Sequence, residues 1–544
     1  MKKKNDTHQI LLKHLTEMIC ETNGISLVDT LTLMANTEIR EESEQAYNLV
    51  QDFRTLISDF QQNRVPIYAL LDHPVSEALF EFFRLFPIKY REEHIHLTGS
   101  LTADFIYPRL KKLIDGPHKA LYQKKITEVY GPDAWPIKSV EDVDRLIRLH
   151  DNEAFAAYLR ILYLPKLILV DKAAHSESAY YMAQDLYTKY NVGKIRLKFS
   201  LNRASSNSAE QIPGADDVSS EDVVLGLYDG FKKFQDEHSD FDFILSPSFR
   251  KEASFFDSSR YKTRREHFEA QVDEIVKMLD KYPFLQKHMT DVDTVGNEND
   301  LYRKEHFNEF QKGFRKLQYR GFQIRSHHGE TFHTLKKGIQ AVDNAMNIWH
   351  IDTLEHGLAL GINPNFYFQK LFQMVIEKNH KSQPITSKDP EYKELMELDW
   401  GTYRPVLDKL VAGQKITADD RVLFVKAKFH TAREVEHYQH DVLNRLIQKG
   451  VSLISLPSSN NKLTGQFEDY KDHPFSWWEK KGVNLGVGTD NYVTLNTNYI
   501  HEMMIVLFTD PGDLKITKLL MVTTGENRRP YISHLLWKMR KQLL

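Results

Sequence analysis

Cysteine is almost absent: Cys20 is the single one in 544 residues. An intrachain disulfide is therefore excluded, and so is a thiolate metal site. Any metal in this chain must be held by histidines and carboxylates. Long apolar runs are missing too. The most apolar stretch, Tyr158 to Val170, is interrupted by Arg160, Pro165 and Lys166 and is too short to cross a bilayer. The start, Met1-Lys2-Lys3-Lys4-Asn5-Asp6, is basic, but Lys13 and Glu17 place charges in the segment after it. No apolar signal core is read there, and a soluble cytoplasmic protein with no membrane partner is expected. Neither sign of charge dominates: 72 Lys and Arg stand against 75 Asp and Glu, for a net charge of −3. That balance leaves no electrostatic footprint for nucleic acid, although a local basic group can still hold one phosphate. Internal repeats and low-complexity tracts are also lacking.

The chain has instead a long alternation of short β-rich runs with longer helical ones. Residues 8–88 read as helical, with apolar side chains at helical spacing in Leu49, Val50, Phe53, Leu56, Ile57 and Phe60. Beyond about residue 90 there are eight strand candidates: Glu93–Leu97, Lys194–Ser200, Phe241–Leu245, Met289–Val295, Gln323–Ser326, Trp349–Leu354, Val451–Leu456 and Asn484–Gly488. Strands alternating with helices predict parallel βα units, and eight of them predict a closed (β/α)8 barrel of the TIM type. The expected division is a helical N-terminal appendage over residues 1–88 and a barrel over 89–544. Residues 363–429, after the sixth strand, exceed what a plain barrel needs. They contain Pro364, Pro384, Pro390 and Pro405 and are expected to form an inserted subdomain, because a structureless loop of that length is improbable.

The chemistry sits at the ends of the strand candidates. His94 and His96 lie two apart, so on a strand both imidazoles point to one face, and at the end of the first strand that face is the barrel mouth. His327 ends the fifth candidate, and Glu330 comes three residues later as a possible proton donor. The adjacent His328 reads as structural. His356 lies just after the sixth candidate in Leu354-Glu355-His356-Gly357 and suits a general base or an orienter of water. Asp490 ends the eighth and offers a hard oxygen ligand. Three imidazoles and one carboxylate suit a single Zn2+ per chain; ferrous iron or another divalent ion fits the same donor set. No Cys-x-x-Cys accompanies a His-x-Glu, which excludes the small zinc deaminase fold that acts on cytosine.

Taken in order, HIHLTGS, DTVGNE, HHGE, EHG, LPSSN and GTDN resemble the adenosine deaminase family of barrel hydrolases, over roughly residues 90–510. The resemblance implies that His94, His96, His327 and Asp490 bind zinc and that Glu330 protonates purine N1 as hydroxide adds to C6. It also implies that His356 orients or deprotonates the attacking water and that Gly296 contacts the purine through its backbone. Ammonia then leaves, and an adenine nucleoside or nucleotide becomes its inosine counterpart.

Two positions depart from that family's pattern and bear on the substrate. Thr98 stands where an aspartate holds the ribose 5′ hydroxyl. An acid there would repel a 5′ phosphate by roughly a few kcal/mol, whereas threonine would not, so AMP- or dAMP-type substrates are favoured. Arg203, Arg250, Lys251 and Lys462 are the candidate phosphate partners. Asn491 replaces a second aspartate at the purine N7, and an amide carries its own donor for that contact. Two further readings remain open at this point. One is deamination of N6-modified adenine nucleotides. The other is an oligomeric assembly or defence protein, built through the N-terminal helices or the insertion, in which deamination is conditional.

Overall fold

The computed structural model describes residues 2–150, 158, 160–201, 218–252, 254–467 and 469–543. Arg203 lies outside the described residues. Eight strands form one parallel sheet in chain order: β1 (Tyr90–His96), β2 (Val192–Phe199), β3 (Asp242–Arg250), β4 (Asp291–Val295), β5 (Gln323–His328), β6 (Thr353–His356), β7 (Ser452–Ser455) and β8 (Asn484–Val487). The chain just beyond β8 returns to β1. His96 N–H donates to the Asp490 carbonyl at 2.8 Å, and Asp490 N–H donates to the His94 carbonyl at 2.9 Å. These two bonds form the Ile95–Asp490 bridge that brings the sheet round into a nearly closed barrel. The architecture is the expected (β/α)8 one, with helices around the strands.

β2 and β3 are the most apolar strands, with Val192, Ile195, Leu197 and Phe199 of β2 and Phe243, Ile244, Leu245 and Phe249 of β3 all buried, as parallel strands between a filled interior and a helical layer must be. At β1 the pairing slips. Glu92 pairs with Ile195 and Ile95 with Leu197, so β1 carries one extra residue over Glu93 and His94. A bulge of this kind re-aims side chains, and here it lies within the His-x-His run.

Strand boundaries differ most from expectation at the sixth and third strands. The sixth strand does not begin at Trp349. Residues Ala345–Trp349 form a π turn that continues the helix Leu335–Asn344, and His350 turns the chain with φ 54°. Trp349 is apolar because it packs in the helical layer, where its indole N–H donates to the Phe307 carbonyl at 2.7 Å. The third strand does not stop at Leu245 but runs on to Arg250, pairing through Pro247 with Phe199. Ser246, Pro247 and Ser248 are turn formers by composition, yet neighbouring strands hold them extended.

The N-terminal segment is helical, from Lys2–Glu21 to Pro74–Arg84. In the helix Glu44–Gln61 the buried stripe is Ala46, Val50, Phe53, Ile57 and Phe60, while Leu49 and Leu56 are half-buried. The stripe packs on the barrel: the Phe53 ring meets Phe508 edge-on at 6.0 Å, and Gln61 Nε2 donates to the Phe508 carbonyl at 3.1 Å. Residues 363–429 are largely helical, with Pro364–His380, Tyr392–Glu397 and Arg404–Val411. The helix Ala418–Gln448 then crosses residue 429 without a break. Its start is fixed by a reciprocal cap between Thr417 and Asp420. No helix among the described residues is long and apolar enough to cross a membrane.

Candidate metal centre and active site

The strand ends bring His96, His327, His356, Glu330 and Asp490 to one cavity at the mouth of the barrel, with the fully buried His94 beside them. Ligand atoms of His94, His96 and His327 lie within 4.8 Å of one another, and so do those of His94, His356 and Asp490. His94 Nε2 is 3.1 Å from His96 Nε2. Asp490 Oδ1 is 3.4 Å from His96 Nε2 and 3.8 Å from His94 Nε2. The other ring nitrogens are committed behind the site. His94 Nδ1 is 2.7 Å from Glu355 Oε2, and His327 Nδ1 is 3.0 Å from Asp293 Oδ2. A carboxylate there accepts the Nδ1 proton and leaves the Nε2 lone pair facing the cavity, the tautomer a metal needs.

Burial holds His94 and His327 well below the ordinary histidine value, and lowers His96 as well. Neutral imidazoles result, which is the ligating form. Burial acts against the Asp490 carboxylate, but His96, His94 and His356 outweigh it and hold the group below its ordinary value. Ser459 Oγ also donates to Asp490 Oδ2 at 2.6 Å. Two of these residues take left-handed backbone, His356 with φ 64° and Asp490 with φ 62°. Such backbone costs on the order of 1–3 kcal/mol each and persists where surroundings over-determine it. For Asp490 the surroundings are the two bonds that close the barrel.

His356 and Glu330 are the pair expected to handle protons. His356 Nδ1 lies 2.8 Å from Asn460 Oδ1, which can only accept, so the proton sits on Nδ1. Nε2 then presents its lone pair to the cavity. It is buried, has no hydrogen-bond partner among the described residues, and stands 3.8 Å from Glu330 Oε1. Burial raises the Glu330 carboxyl above its ordinary value; Asp490 and Asp293 push the same way, and His356 opposes. Glu330 is therefore a better proton carrier than an exposed glutamate. Its loop is organised by Glu298, whose carboxylate accepts from the N–H groups of Gly329, Glu330 and Thr331 at 3.1, 2.6 and 2.8 Å.

No family model matches the sequence, and no curated protein matches it. Solved structures do. One is a zinc-bound amidohydrolase from Burkholderia ambifaria, 13% identical over 85% of this chain and 93% of that one, with a TM-score of 0.49. A second is the Arabidopsis N6-mAMP deaminase MAPDA, 12% identical over 85% and 99% of the two chains, with a TM-score of 0.48. A third is Arabidopsis ADAL complexed with IMP, 11% identical over 85% and 100%, with a TM-score of 0.49. At these identities and scores, the functional reading rests on the residues of this chain.

The substrate end of the cavity is less as expected. Thr98 and Gly296 line it. Gly296 has φ 102°, a backbone conformation that side chains with a Cβ rarely adopt, and this favours glycine there. Asn491 also lines it, but its amide nitrogen already donates to Tyr158 Oη and, at 2.5 Å, to Asp490 Oδ1. Both N–H groups are thus used within the protein, and the donor expected for a purine nitrogen is occupied. The atom without a partner among the described residues is Oδ1, packed so closely on Gly99 that a Cβ there would meet it at 1.8 Å.

Of the cationic candidates, Arg250 lines the cavity, with Nη2 2.6 Å from Glu252 Oε1. Lys251 is buried, and its ammonium donates to the His327 carbonyl. Lys462 faces a different cavity beside Tyr68 and Tyr470 and donates to the Leu495 carbonyl at 2.5 Å. Lys166, read in the sequence only as a break in an apolar run, stands on the cavity wall. His328 turns away from the site, with Nδ1 2.5 Å from Ser326 Oγ and its ring 5.3 Å from Trp349.

Sequence reasoning missed the residues that hold the functional groups: Lys198, Asp293, Glu298, Glu355, Asn460 and Ser459. For most of them a signal existed. A charged residue inside a strand buried on both faces, such as Lys198 in Val192–Phe199, must have a buried partner.

Proposed function

We propose that this chain is a metal-dependent hydrolase that deaminates an adenine nucleotide, with 5′-phosphorylated substrates of the AMP or dAMP type preferred. One observation carries the reading. Three neutral imidazoles and an aspartate converge at the mouth of a barrel, with a buried imidazole lone pair and a proton-carrying glutamate beside them. The donor set fits a divalent ion, and zinc suits it best. Two imidazole nitrogens 3.1 Å apart, with at least one lone pair turned inward, are what a cation between them would stabilise.

His94, His96, His327 and Asp490 would hold the ion. When bound, it supplies Lewis acidity that makes hydroxide available near neutral pH. The remaining steps belong to this chain's side chains. Glu330 carries a proton into the cavity and gives it to the ring nitrogen of the substrate. The addition at the neighbouring carbon is then not opposed by negative charge building on the ring. His356 Nε2 accepts a proton from water and returns it to the amino group, which leaves as ammonia when the C–N bond breaks; Asn460 keeps the ring in the tautomer that permits it. Glu298 holds the Glu330 loop in register. Gly296 lets the base approach the backbone at the end of β4.

The preference for a phosphate rests on Thr98, which brings no negative charge to the cavity, and on Arg250 and Lys166 in its wall. Purified protein loaded with zinc should release ammonia from AMP or dAMP faster than from adenosine. The assay should include ATP and dATP. Turnover of adenosine alone would remove the argument from Thr98, and no ammonia from any adenine compound would remove deamination.

A further inference from the structure

Beneath the proposed metal ligands lies a layer of buried charge that the proton chemistry does not use. Lys198 on β2 is fully buried in the barrel interior. Its ammonium donates to Asp293 Oδ2 on β4 and, at 2.9 Å, to Glu355 Oε1 on β6. Alternate strands supply this layer, as they do in filled barrels. Each of the two carboxylates also contacts one histidine of the metal set. Asp293 Oδ2 is 3.0 Å from His327 Nδ1, and Glu355 Oε2 is 2.7 Å from His94 Nδ1. One ammonium therefore connects the supports of two ligands that come from opposite sides of the barrel.

We propose that Lys198 is a positioning residue of the metal centre, a clamp that sets His94 and His327 as one unit by holding both of their carboxylate partners. The inference rests on the metal-dependent function proposed for this site. Glu355 meets Lys198 and Arg325 through Oε1, with Arg325 Nε at 2.6 Å, and meets His94 through Oε2. A carboxylate pinned at both oxygens cannot rotate, so the imidazole it accepts from is aimed. Asp293 is pinned in the same way: Oδ1 accepts from Thr294 N–H at 2.7 Å, and Oδ2 takes Lys198. Without the ammonium, Glu355 would keep Arg325 but Asp293 would lose its lysine, and nothing would tie the two carboxylates to each other across the interior. They would turn apart, and each would carry its histidine with it.

A charge triad is a poor way to fill a barrel, because desolvation cancels most of the attraction and apolar side chains would pack as well. Orientation of the ligands is what the triad adds. Arg325 does not replace Lys198. It reaches Glu355 and the Glu93 carbonyl, at 3.2 Å, whereas Lys198 reaches both carboxylates.

The test compares wild type, Lys198→Met, Glu355→Gln, Asp293→Asn and the double variant Lys198→Met/Glu355→Gln. Zinc affinity is read by competition with a chromophoric chelator, and the visible spectrum of the cobalt-loaded protein reads the ligand field. Lys198→Met is expected to bind zinc about 10- to 100-fold more weakly, the usual cost of removing a group behind a ligand, and to shift the cobalt bands. Adding Glu355→Gln removes one of the two opposed charges and should recover part of that loss. Unchanged affinity and cobalt spectrum in a folded Lys198→Met, with only thermal stability lowered, would make Lys198 a core salt bridge and overturn the proposal. Strictly additive losses in the double variant would do the same.

If Lys198→Met does not fold, the isosteric Glu355→Gln and Asp293→Asn decide. Each must weaken zinc and shift the cobalt spectrum, and silence in both overturns the clamp. A wild type that binds two ions, reduced to one by Lys198→Met, would make the lysine a ligand and also overturn it. A wild type that binds no divalent ion would refute the metal centre itself, a result separate from all of these.

Discussion

Replacing Glu298 by glutamine tests how the proton carrier is held. Glu298 is 3% exposed; its Oε1 accepts from the N–H groups of Glu330 at 2.6 Å and Thr331 at 2.8 Å, and its Oε2 accepts from Gly329 at 3.1 Å. A glutamine in the same pose keeps one carbonyl oxygen and thus the bonds to Glu330 and Thr331. Its amide nitrogen then points a donor at the Gly329 N–H. One buried donor is left without an acceptor, at a cost of about 1–3 kcal/mol. Alanine in place of Glu298 would orphan both buried donors, Gly329 and Glu330, at about 2–6 kcal/mol; Thr331 is half-buried and water can reach it. The loop can relieve that cost only by moving, and Glu330 moves with it. At about 1.4 kcal/mol per tenfold in rate, Glu298→Gln is expected to lower kcat about 10- to 100-fold.

The effect should be confined to turnover. Metal content should remain at the wild-type level, since no ligand side chain touches Glu298, and KM should change little. Steady-state ammonia release, metal analysis of the same preparation and a thermal melt measure the three quantities. A folded Glu298→Gln with kcat within twofold of wild type would refute the idea that this carboxylate positions Glu330. Loss of metal in proportion to loss of activity would also refute it, by showing that Glu298 acts through the neighbouring His327.

Glu330→Gln should abolish turnover with zinc retained; full activity in that variant would remove Glu330 from the acid role. Thr98→Asp should lower kcat/KM for AMP by about 30- to 1000-fold, since a charge opposing a phosphate in a partly desolvated cavity costs roughly 2–4 kcal/mol, while adenosine is unaffected or improved; equal losses for both substrates would place the phosphate elsewhere. Glu394 in the segment after β6 is buried and raised to about 7, by burial first and by Glu397, against hydrogen bonds from Tyr367 and Leu335. Its folded form therefore holds a proton that the unfolded chain releases near its ordinary value of 4.5. Stability from this group is present below that value and lost as pH rises towards about 7, by on the order of 3 kcal/mol at most. Thermal melts of Glu394→Gln should fall less than wild type between pH 4.5 and 7, and parallel curves would refute the assignment.

The convergence of the candidate side chains was legible because each is polar and lies at or just beyond a strand end, and an eightfold alternation of strands and helices has few solutions other than a barrel. Strand ends were less legible where composition and context disagree. Ser246-Pro247-Ser248 lies beyond the expected strand end at Leu245 but is held extended between β2 and β4, and Trp349 reads as strand but ends a helix. The supporting charges were illegible for a different reason. Lys198, Asp293 and Glu355 acquire their meaning from one another across the barrel, over separations of 95 and 157 residues. No local period records a pairing of that range. Two of the cationic candidates failed in the same way. Lys251 and Lys462 have the right charge and the right place in the chain, yet each is committed to a backbone carbonyl.

The same long-range pairing joins the site to the fold. Asp490 reaches the cavity because its backbone exchanges hydrogen bonds with His94 and His96, and those bonds are also what brings β8 round to β1. Barrel closure and assembly of three of the four proposed ligands are therefore one event. His327 arrives from the other side of the barrel, and the carboxylates beneath it are the route by which its direction is tied to that of His94. A metal bound across the seam would in turn oppose opening of β1 from β8. Zinc binding should accordingly protect the amides of His96 and Asp490 from hydrogen exchange more than amides in the middle of β3, which neighbouring strands already hold on both sides.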